Sequence, residues 1–209
     1  SGWEIVRGYD FGYAKPFSVG WYAIDYTGTI YRIREYYGCV EGSPNVGVKM
    51  EPSEQARMIR QIEETDINLK GRKISGIADP SIFDRSRGKS VADMMAENGV
   101  YWSGGDNHRI AGKMQYHYRM AFDENGISKF YVFNTCKNFI RTIPDLVYDE
   151  KNVEDIDTTQ EDHIYDECRY VFMQHPIPMR RSVKKEIPLE DPLDLFAEER
   201  KKAHRIIRI

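Results

Sequence analysis

The stretch that decides the fold is residues 5–36, which read IVRGYDFGYAKPFSVGWYAIDYTGTIYRIREY. Three runs rich in aromatic and β-branched residues fill it, at 5–11, 17–26 and 29–36. Such residues favour strands, and the Thr-Gly pair at 27–28 is typical of a tight hairpin turn. The segment therefore predicts a three-stranded antiparallel meander at the start of the chain.

The rest of the chain alternates helix-like and strand-like patterns. The predicted elements are, in order, a loop at 38–51, a helix from 52, a strand at 74–79, a helix at 90–98, a strand at 100–103, a helix at 109–123, a strand at 130–133, an interrupted helix at 136–148 and a helix from 158 to about 174. Two helices have capping signals, because Ser90 is a preferred N-cap residue and Thr158 with Glu161 has capping-box spacing. This order predicts an α/β fold with a ribonuclease H-like mixed β-sheet, three antiparallel strands then parallel strands, and helices on both faces.

Composition is typical of a soluble globular protein and argues against several other classes. Of the 209 residues 41% are hydrophobic, and no apolar run approaches the roughly 20 residues that span a bilayer. Cys39, Cys136 and Cys168 form no CxxC pair, so we expect neither a zinc site nor a disulfide framework but a reducing, intracellular setting. The net charge of −3 gives no global attraction to nucleic acid, so any DNA-binding surface must be local.

Two parts of the chain are predicted, a ribonuclease H-like domain at 1–178 and a charged C-terminal tail at 179–209. Because the sequence opens with Ser-Gly and has no starting Met, we expect it to be a piece of a longer protein.

Basic residues form three clusters, namely Arg85, Arg87 and Lys89; Arg180, Arg181, Lys184 and Lys185; and the run from Arg200 to Arg208. Each cluster fits phosphate contacts and a solvated charged surface equally well.

Three carboxylates belong to separate predicted elements. Asp10 and Asp79 end strands, whereas Asp166 lies on the last helix, within the acidic stretch EDHIYDECRY at 161–170. Each alone has a simpler interpretation, as a turn residue for the first two and as part of a solvated helix face for the third. Together they suit a site for Mg²⁺ or Mn²⁺, because those ions prefer carboxylate oxygens.

A pair of such ions would give each carboxylate a role in phosphodiester chemistry. Two ions roughly 3.5–4 Å apart can clamp the attacking and leaving oxygens of an in-line displacement. Our hypothesis is that Asp10 bridges both ions, that Asp166 helps to hold the ion that activates the water, and that Asp79 helps to hold the ion at the leaving 3′ oxygen. His163 is an open candidate for positioning the water or a phosphate or for touching a metal, and Asp162 is interpreted as a bystander.

Five short segments follow one another along the chain: GYDFGY at 8–13, ADPS at 78–81, KSVAD at 89–93, CKNFIRTIP at 136–144 and EDHIYDECRY at 161–170. As an ordered set covering roughly residues 5–175, they resemble the nuclease domain of the large terminase subunit of tailed bacteriophages. In the family's pattern the three metal-binding acids fall on Asp10, Asp79 and Asp166. Some members also have a histidine three residues before the last acid, which here is His163.

The resemblance implies a virus-encoded, metal-dependent endonuclease that cuts concatemeric double-stranded DNA with little sequence specificity. It implies two ions, Mg²⁺ or Mn²⁺, as cofactors. The implied partners are double-stranded DNA, an ATPase motor domain that this sequence lacks, the small terminase subunit and the portal, on which the basic tail could dock. The implied place of action is the host cell cytoplasm, at the procapsid and with no membrane involved.

Other functions share parts of this pattern and stay open at the level of sequence. A transposase or a junction resolvase of the ribonuclease H-like superfamily has the same acid set. A non-catalytic packaging module would bind DNA or the portal without cutting. An actin-like nucleotide-binding protein also has an Asp-x-Gly turn after its first strand, as at 10–12, but that fold needs two such domains and far more chain.

Overall fold

A six-stranded mixed β-sheet organises the part of the chain that the structure, a computed structural model, describes: residues 2–178. Its strands are β1 (Glu4–Asp10), β2 (Ser18–Ile24), β3 (Ile30–Tyr37), β6 (Ile74–Ala78), β7 (Ser103–Gly104) and β8 (Phe130–Val132), in the spatial order β7-β6-β1-β2-β3-β8. The first three strands form an antiparallel meander. β6 pairs parallel with β1, β7 with β6, and β8 with β3. The predicted mixed sheet is confirmed.

The hairpin between β2 and β3 is held by a side chain as well as by its backbone. Gly28 adopts φ +75°, a left-handed conformation that costs glycine little. The Asp25 carboxylate accepts hydrogen bonds from the backbone N–H groups of Thr27 at 2.8 Å and Thr29 at 3.0 Å. The predicted Thr-Gly turn is therefore present, with an Asp that fixes its geometry from the end of β2.

Within residues 2–178, five helices cover the two faces of the sheet. They are α1 (Pro52–Thr65), α2 (Val91–Ala96), α3 (Arg109–Met120), α4 (Lys137–Thr142) and α5 (His163–Gln174), with 3₁₀ turns at Pro80–Phe83 and Ile143–Asp145. Side chains alternate across a strand, so β1 contributes to both cores. Ile5 and Tyr9 pack with α1 and α2, whereas Val6 packs with α3, α4 and α5. Helices on both faces, as predicted, place α5 directly over the centre of the sheet.

The segment 38–51, predicted as a loop, contains a small hairpin instead. β4 (Cys39–Val40) pairs antiparallel with β5 (Ser43–Gly47), and Gly42 and Asn45 both adopt positive φ. Gly47 N–H donates to the carbonyl of Ala14 at 2.9 Å, which ties the hairpin to the loop that follows β1. Strands this short, rich in Gly, Pro and Asn, have no periodicity that sequence could reveal.

The start of α5 differs from the prediction. The capping box of Thr158 and Glu161 is wrong, because the helix begins at His163 with Asp162 as its N-cap residue. Both Glu161 oxygens bind Arg141 instead, at 2.7 and 2.8 Å. The Ser90 cap of α2 is confirmed, in a capping box with Asp93. The predicted tail at 179–209, with its two basic clusters, lies outside the described residues, and the boundary at 178 stays a prediction.

Candidate active site at the carboxyl edge of the sheet

Asp10 and Asp79 lie side by side at one edge of the sheet. β1 and β6 run parallel with Tyr9 opposite Ala78, so the next residue of each strand is one of the two acids. The backbone N–H of Asp79 donates to the carbonyl of Tyr9 at 3.2 Å, which extends the pairing to the acid itself. The carboxyl ends of adjacent parallel strands are a common place for ligand sites in open α/β sheets.

Asp166 reaches the same edge from the first turn of α5. The helix can approach because β1 has a glycine beneath it. A Cβ on Gly8 would lie within 3.0 Å of both Glu167 and Val171. The charges of Asp166 and Asp79 both act on Asp10, so the structure brings the three predicted acids into one electrostatic group. We call Asp10, Asp79, His163 and Asp166 the edge cluster.

Asp10 is largely desolvated, with only 14% of its side chain exposed. Burial raises its pKa from 3.8 to about 7, with further contributions from the charges of Asp166 and Asp79, against the opposing effect of His163. His163 Nδ1 lies 3.1 Å from Asp10 Oδ2. Burial acts to lower the pKa of His163, but the hydrogen bond to Asp10 and the surrounding carboxylates raise it overall. Asp10 and the carboxylates around it thus favour the charged form of His163.

Asp79 is held by hydrogen bonds on both oxygens. The hydroxyl of Tyr170 donates to Oδ2, and the backbone N–H of Ser81 donates to Oδ1 at 2.6 Å. Burial acts to raise the pKa of Asp79, but these hydrogen bonds lower it overall. The bond to Ser81 opens the 3₁₀ turn at Pro80–Phe83, so Asp79 is both a turn residue, as the Asp-Pro pair indicates, and a member of the edge cluster.

Asp166 is paired with two arginines that sequence analysis missed. Arg109 Nη1 lies 3.0 and 2.9 Å from its two oxygens, and Arg169 Nε lies 3.0 Å from Oδ1. The i,i+3 spacing of Arg169 was a usable signal on a helix, whereas Arg109 is distant in sequence. Asp162, interpreted as a bystander, is buried, and burial with the charge of Asp166 raises its pKa to about 6.

The side chains of the edge cluster have the chemistry to bind a divalent cation, but they lie too far apart to share one in this structure. Carboxylate oxygens are the ligands that Mg²⁺ and Mn²⁺ prefer. His163 Nε2 is buried with no hydrogen-bond partner among residues 2–178, and the raised pKa of Asp10 marks a negative charge that its surroundings compensate poorly. Within the same residues, however, no group of three or more His, Cys, Asp or Glu side chains is spaced to hold a metal ion. The acids would have to move closer to share one.

Comparison with known proteins finds likeness in structure only, since no protein-family model and no curated protein matches the sequence. The nuclease domain of the P22 large terminase superposes with a TM-score of 0.62 at 17% identity, over 82% of this chain and 81% of that one. The large terminase of a thermophilic bacteriophage superposes with a TM-score of 0.58 at 19% identity, over 80% of this chain and 38% of that one. The chain has the fold of a terminase nuclease domain.

That fold confirms the family resemblance at the level of architecture. The chain covers only 38% of the thermophilic phage terminase, so what the whole of such a protein does is a matter for proposal. Among residues 2–178, no helix is both long and apolar enough to cross a membrane.

The basic cluster at 85–89 is partly neutralised within the terminase nuclease fold. Both oxygens of Asp93 pair with Arg85, at 2.8 and 2.7 Å, and Lys89 pairs with Glu97. These contacts favour a solvated surface over a phosphate-binding one for two of the three residues. The clusters at 180–185 and 200–208 lie outside the described residues.

A second charged group lies beneath the edge cluster, inside the core. Glu167 is fully buried and accepts hydrogen bonds from Ser18 at 3.2 Å, Tyr22 at 2.7 Å and Arg32 at 2.7 Å. We call these four residues the core cluster. Sequence analysis missed it, although Glu167 lies four residues before Val171 on the apolar side of α5, where a charged residue signals a buried partner.

Proposed function

We propose that the chain is the metal-dependent endonuclease domain of a viral DNA-packaging terminase, and that it cuts concatemeric double-stranded DNA with little sequence specificity. The observation that carries this proposal is the edge cluster. In it Asp10 and Asp79 lie side by side at the ends of β1 and β6, and Asp166 lies on the first turn of α5. The fold shared with the P22 nuclease domain supports it.

Two Mg²⁺ or Mn²⁺ ions are the proposed cofactors, and when bound they would supply Lewis-acid stabilisation and an activated water. Asp10 interacts electrostatically with both other acids, which supports its assignment as the bridging ligand. In this proposal Asp166 contributes to the water-activating side and Asp79 to the leaving-group side. Tyr170 and Ser81 orient the Asp79 carboxylate through their hydrogen bonds.

His163 is proposed to position a water or a phosphate next to Asp10, the bridging acid. Its Nδ1 faces Asp10, which orients the ring, and its Nε2 has no partner among residues 2–178. An imidazole held this way can orient a water or stabilise a phosphate oxygen through Nε2. His163 is thus assigned a positioning role in the edge cluster.

The partners follow from the proposed reaction. Double-stranded DNA is the substrate, and an ATPase motor domain would deliver it, as expected for a domain that corresponds to 38% of the large terminase of the thermophilic phage. We propose that the small terminase subunit and the portal choose where cutting occurs, in the host cytoplasm at the procapsid. Low sequence specificity of the domain itself is part of this proposal.

Cleavage of supercoiled plasmid in Mn²⁺ or Mg²⁺ tests the proposed function. The parent should nick and linearise the plasmid, and Asp10→Asn and Asp79→Asn should not. Asp84→Asn is the matched control, because Asp84 also accepts a backbone hydrogen bond two residues on, from Ser86 at 2.8 Å, but is exposed. Equal cutting by the parent, Asp10→Asn and Asp79→Asn would refute the assignment.

The same assay separates the rival functions. Strand-transferred products would indicate a transposase, and cuts confined to four-way junctions would indicate a resolvase. DNA binding without metal-dependent cutting would indicate a non-catalytic packaging module.

A further inference from the structure

The two arginines on Asp166 are held very differently. The Arg169 side chain is fully buried, its Nη2 donates to the side chain of Asn107 at 3.0 Å, and its guanidinium lies 4.5 Å from the ring centre of Tyr170. Its stem lies against Gly112 of α3 so tightly that a Cβ there would come within 3.0 Å. Arg169 is therefore a fixed part of the packing between α5 and α3.

Arg109, by contrast, is 26% exposed and sits at the first residue of α3. One nitrogen, Nη1, contacts both Asp166 oxygens, while Nε binds Asp155 at 2.6 Å. The strong form of an arginine–carboxylate pair uses two nitrogens on two oxygens. Nη2 of Arg109 is buried without a hydrogen-bond partner among residues 2–178. Arg169 also contacts Asp166 through one nitrogen, but its side chain is fully buried, so the partly exposed Arg109 makes the more exchangeable of the two contacts.

We propose that Arg109 and a divalent cation compete for the Asp166 carboxylate, so that metal binding releases Arg109 for contact with a DNA phosphate. This inference rests on the proposed function. A guanidinium nitrogen on both oxygens of Asp166 competes with a metal for the lone pairs of those oxygens. It also places a positive charge beside the site, which repels a cation at short range.

The contact with Asp155 keeps Arg109 near the edge cluster after it leaves Asp166. Asp155 lies in the segment before α5, which is tied back by a β-bridge between Tyr148 and Ile156. When Arg109 leaves Asp166 it stays anchored to Asp155 at the margin of the edge cluster, with Nη1 and Nη2 free to bind a phosphate. Arg109 thus stays next to the edge cluster whether or not it is bound to Asp166. Its guanidinium becomes available to the substrate only when metal is bound.

Calorimetric titration of Mn²⁺ without DNA tests the competition, since its readout is affinity and not cleavage. Arg109→Gln should bind Mn²⁺ about tenfold more tightly than the parent, because a competing unit charge is gone. Arg109→Lys, which keeps the charge, should stay close to the parent, and Arg109→Met, which also removes the charge, serves if the glutamine variant fails to fold. Arg141→Gln is the matched control, because Arg141 pairs with Glu161, outside the edge cluster, and its loss should leave the affinity unchanged.

The outcomes separate this inference from the proposed function. Unchanged or weaker Mn²⁺ binding by Arg109→Gln, with clear binding by the parent, would overturn the competition and leave the proposed function standing. Equal tightening by Arg141→Gln would overturn it as well, because the effect would then be one of net charge. If neither the parent nor any variant binds Mn²⁺, the proposed metal site itself is refuted.

Discussion

Two neighbouring residues of α5 belong to charged groups of opposite character. Glu167, in the core cluster, is fully buried and matched by Arg32, Tyr22 and Ser18. Asp166, in the edge cluster, lies one residue earlier, among other carboxylates at the rim of the sheet. In the core cluster hydrogen bonds offset the cost of burial, whereas at Asp10 of the edge cluster the charges of Asp79 and Asp166 add to it. The same helix thus separates a structural acid from candidate functional ones.

Asp10 and Glu167 differ in the groups that surround a buried carboxyl. Burial raises the pKa of both carboxyl groups, and that of Asp10 reaches about 7. Glu167 accepts hydrogen bonds from three donors, one of them the Arg32 guanidinium, so its removal leaves Arg32 with the more distant Glu35, at 3.6 Å, as its counter-charge. Asp10 has His163 on one side and carboxylates on the other, so its removal relieves repulsion. A desolvated acid among like charges is typical of functional sites, which agrees with the role proposed for Asp10.

The largest effect is expected from Glu167→Ala. It removes the nearer carboxylate partner of the fully buried Arg32 and leaves it with Glu35 at 3.6 Å, and breaking a buried pair costs about 3–5 kcal/mol of the free energy of unfolding. Urea denaturation measures it. A double variant, Glu167→Leu with Arg32→Met, should recover much of the loss, because apolar side chains then replace both charges of the pair, and Glu35 keeps its hydrogen bonds from the backbone of Asn138 and Phe139. A cost below about 1 kcal/mol for Glu167→Ala would show that the core cluster is not structural.

Asp10→Asn should reduce activity without reducing stability, whereas Glu167→Ala should reduce stability. Plasmid cutting should fall by about 100-fold or more, because the proposed bridging ligand is lost. The unfolding free energy at pH 8 should not fall. An acid whose pKa rises from 3.8 unfolded to about 7 folded stabilises the protein below pH 4 and loses that contribution as the pH rises to 7. The stability of the parent should therefore decline relative to Asp10→Asn between pH 4 and 7, and an increase would contradict the account.

Gly20→Ala probes the space that the core cluster needs. A Cβ on Gly20 would lie within 3.0 Å of Arg32 and Glu167, whose side chains are locked by each other. The expected cost is about 1–3 kcal/mol by urea denaturation, typical of overpacking. Gly104→Ala is the control, since its Cβ would meet only Phe83, at 3.8 Å, and should change stability by less than about 0.5 kcal/mol. Equal effects would mean that the core tolerates displacement of the pair.

Tyr170→Phe tests the support of Asp79 and has the smallest expected effect. Loss of the hydroxyl that donates to Asp79 should raise the Mn²⁺ concentration for half-maximal cutting by about tenfold. Tyr116→Phe is matched, because its buried hydroxyl donates to the carbonyl of Tyr165 at 2.8 Å and touches none of the acids. The same Mn²⁺ requirement in both variants would remove Tyr170 from the account.

Sequence reasoning located the acids because their signals are local. Asp10 and Asp79 each end an apolar strand before a turn residue, and strand ends of parallel neighbours meet at one edge. The arginines could not be found in this way. Arg109 is 57 positions from Asp166, and Arg32 is 135 positions from Glu167, so only the tertiary fold makes them partners. The capping box at 158–161 failed for the same reason, since Arg141 takes Glu161 from 20 positions away.

The central claim is that the edge cluster is one metal site, and anomalous diffraction from crystals soaked in Mn²⁺ tests it most directly. The account predicts Mn²⁺ at about 2.1 Å from a carboxylate oxygen of Asp10, with Asp79 or Asp166 as a further ligand of the same ion. Mn²⁺ bound elsewhere on the domain, with Asp10 still paired only to His163, would contradict it.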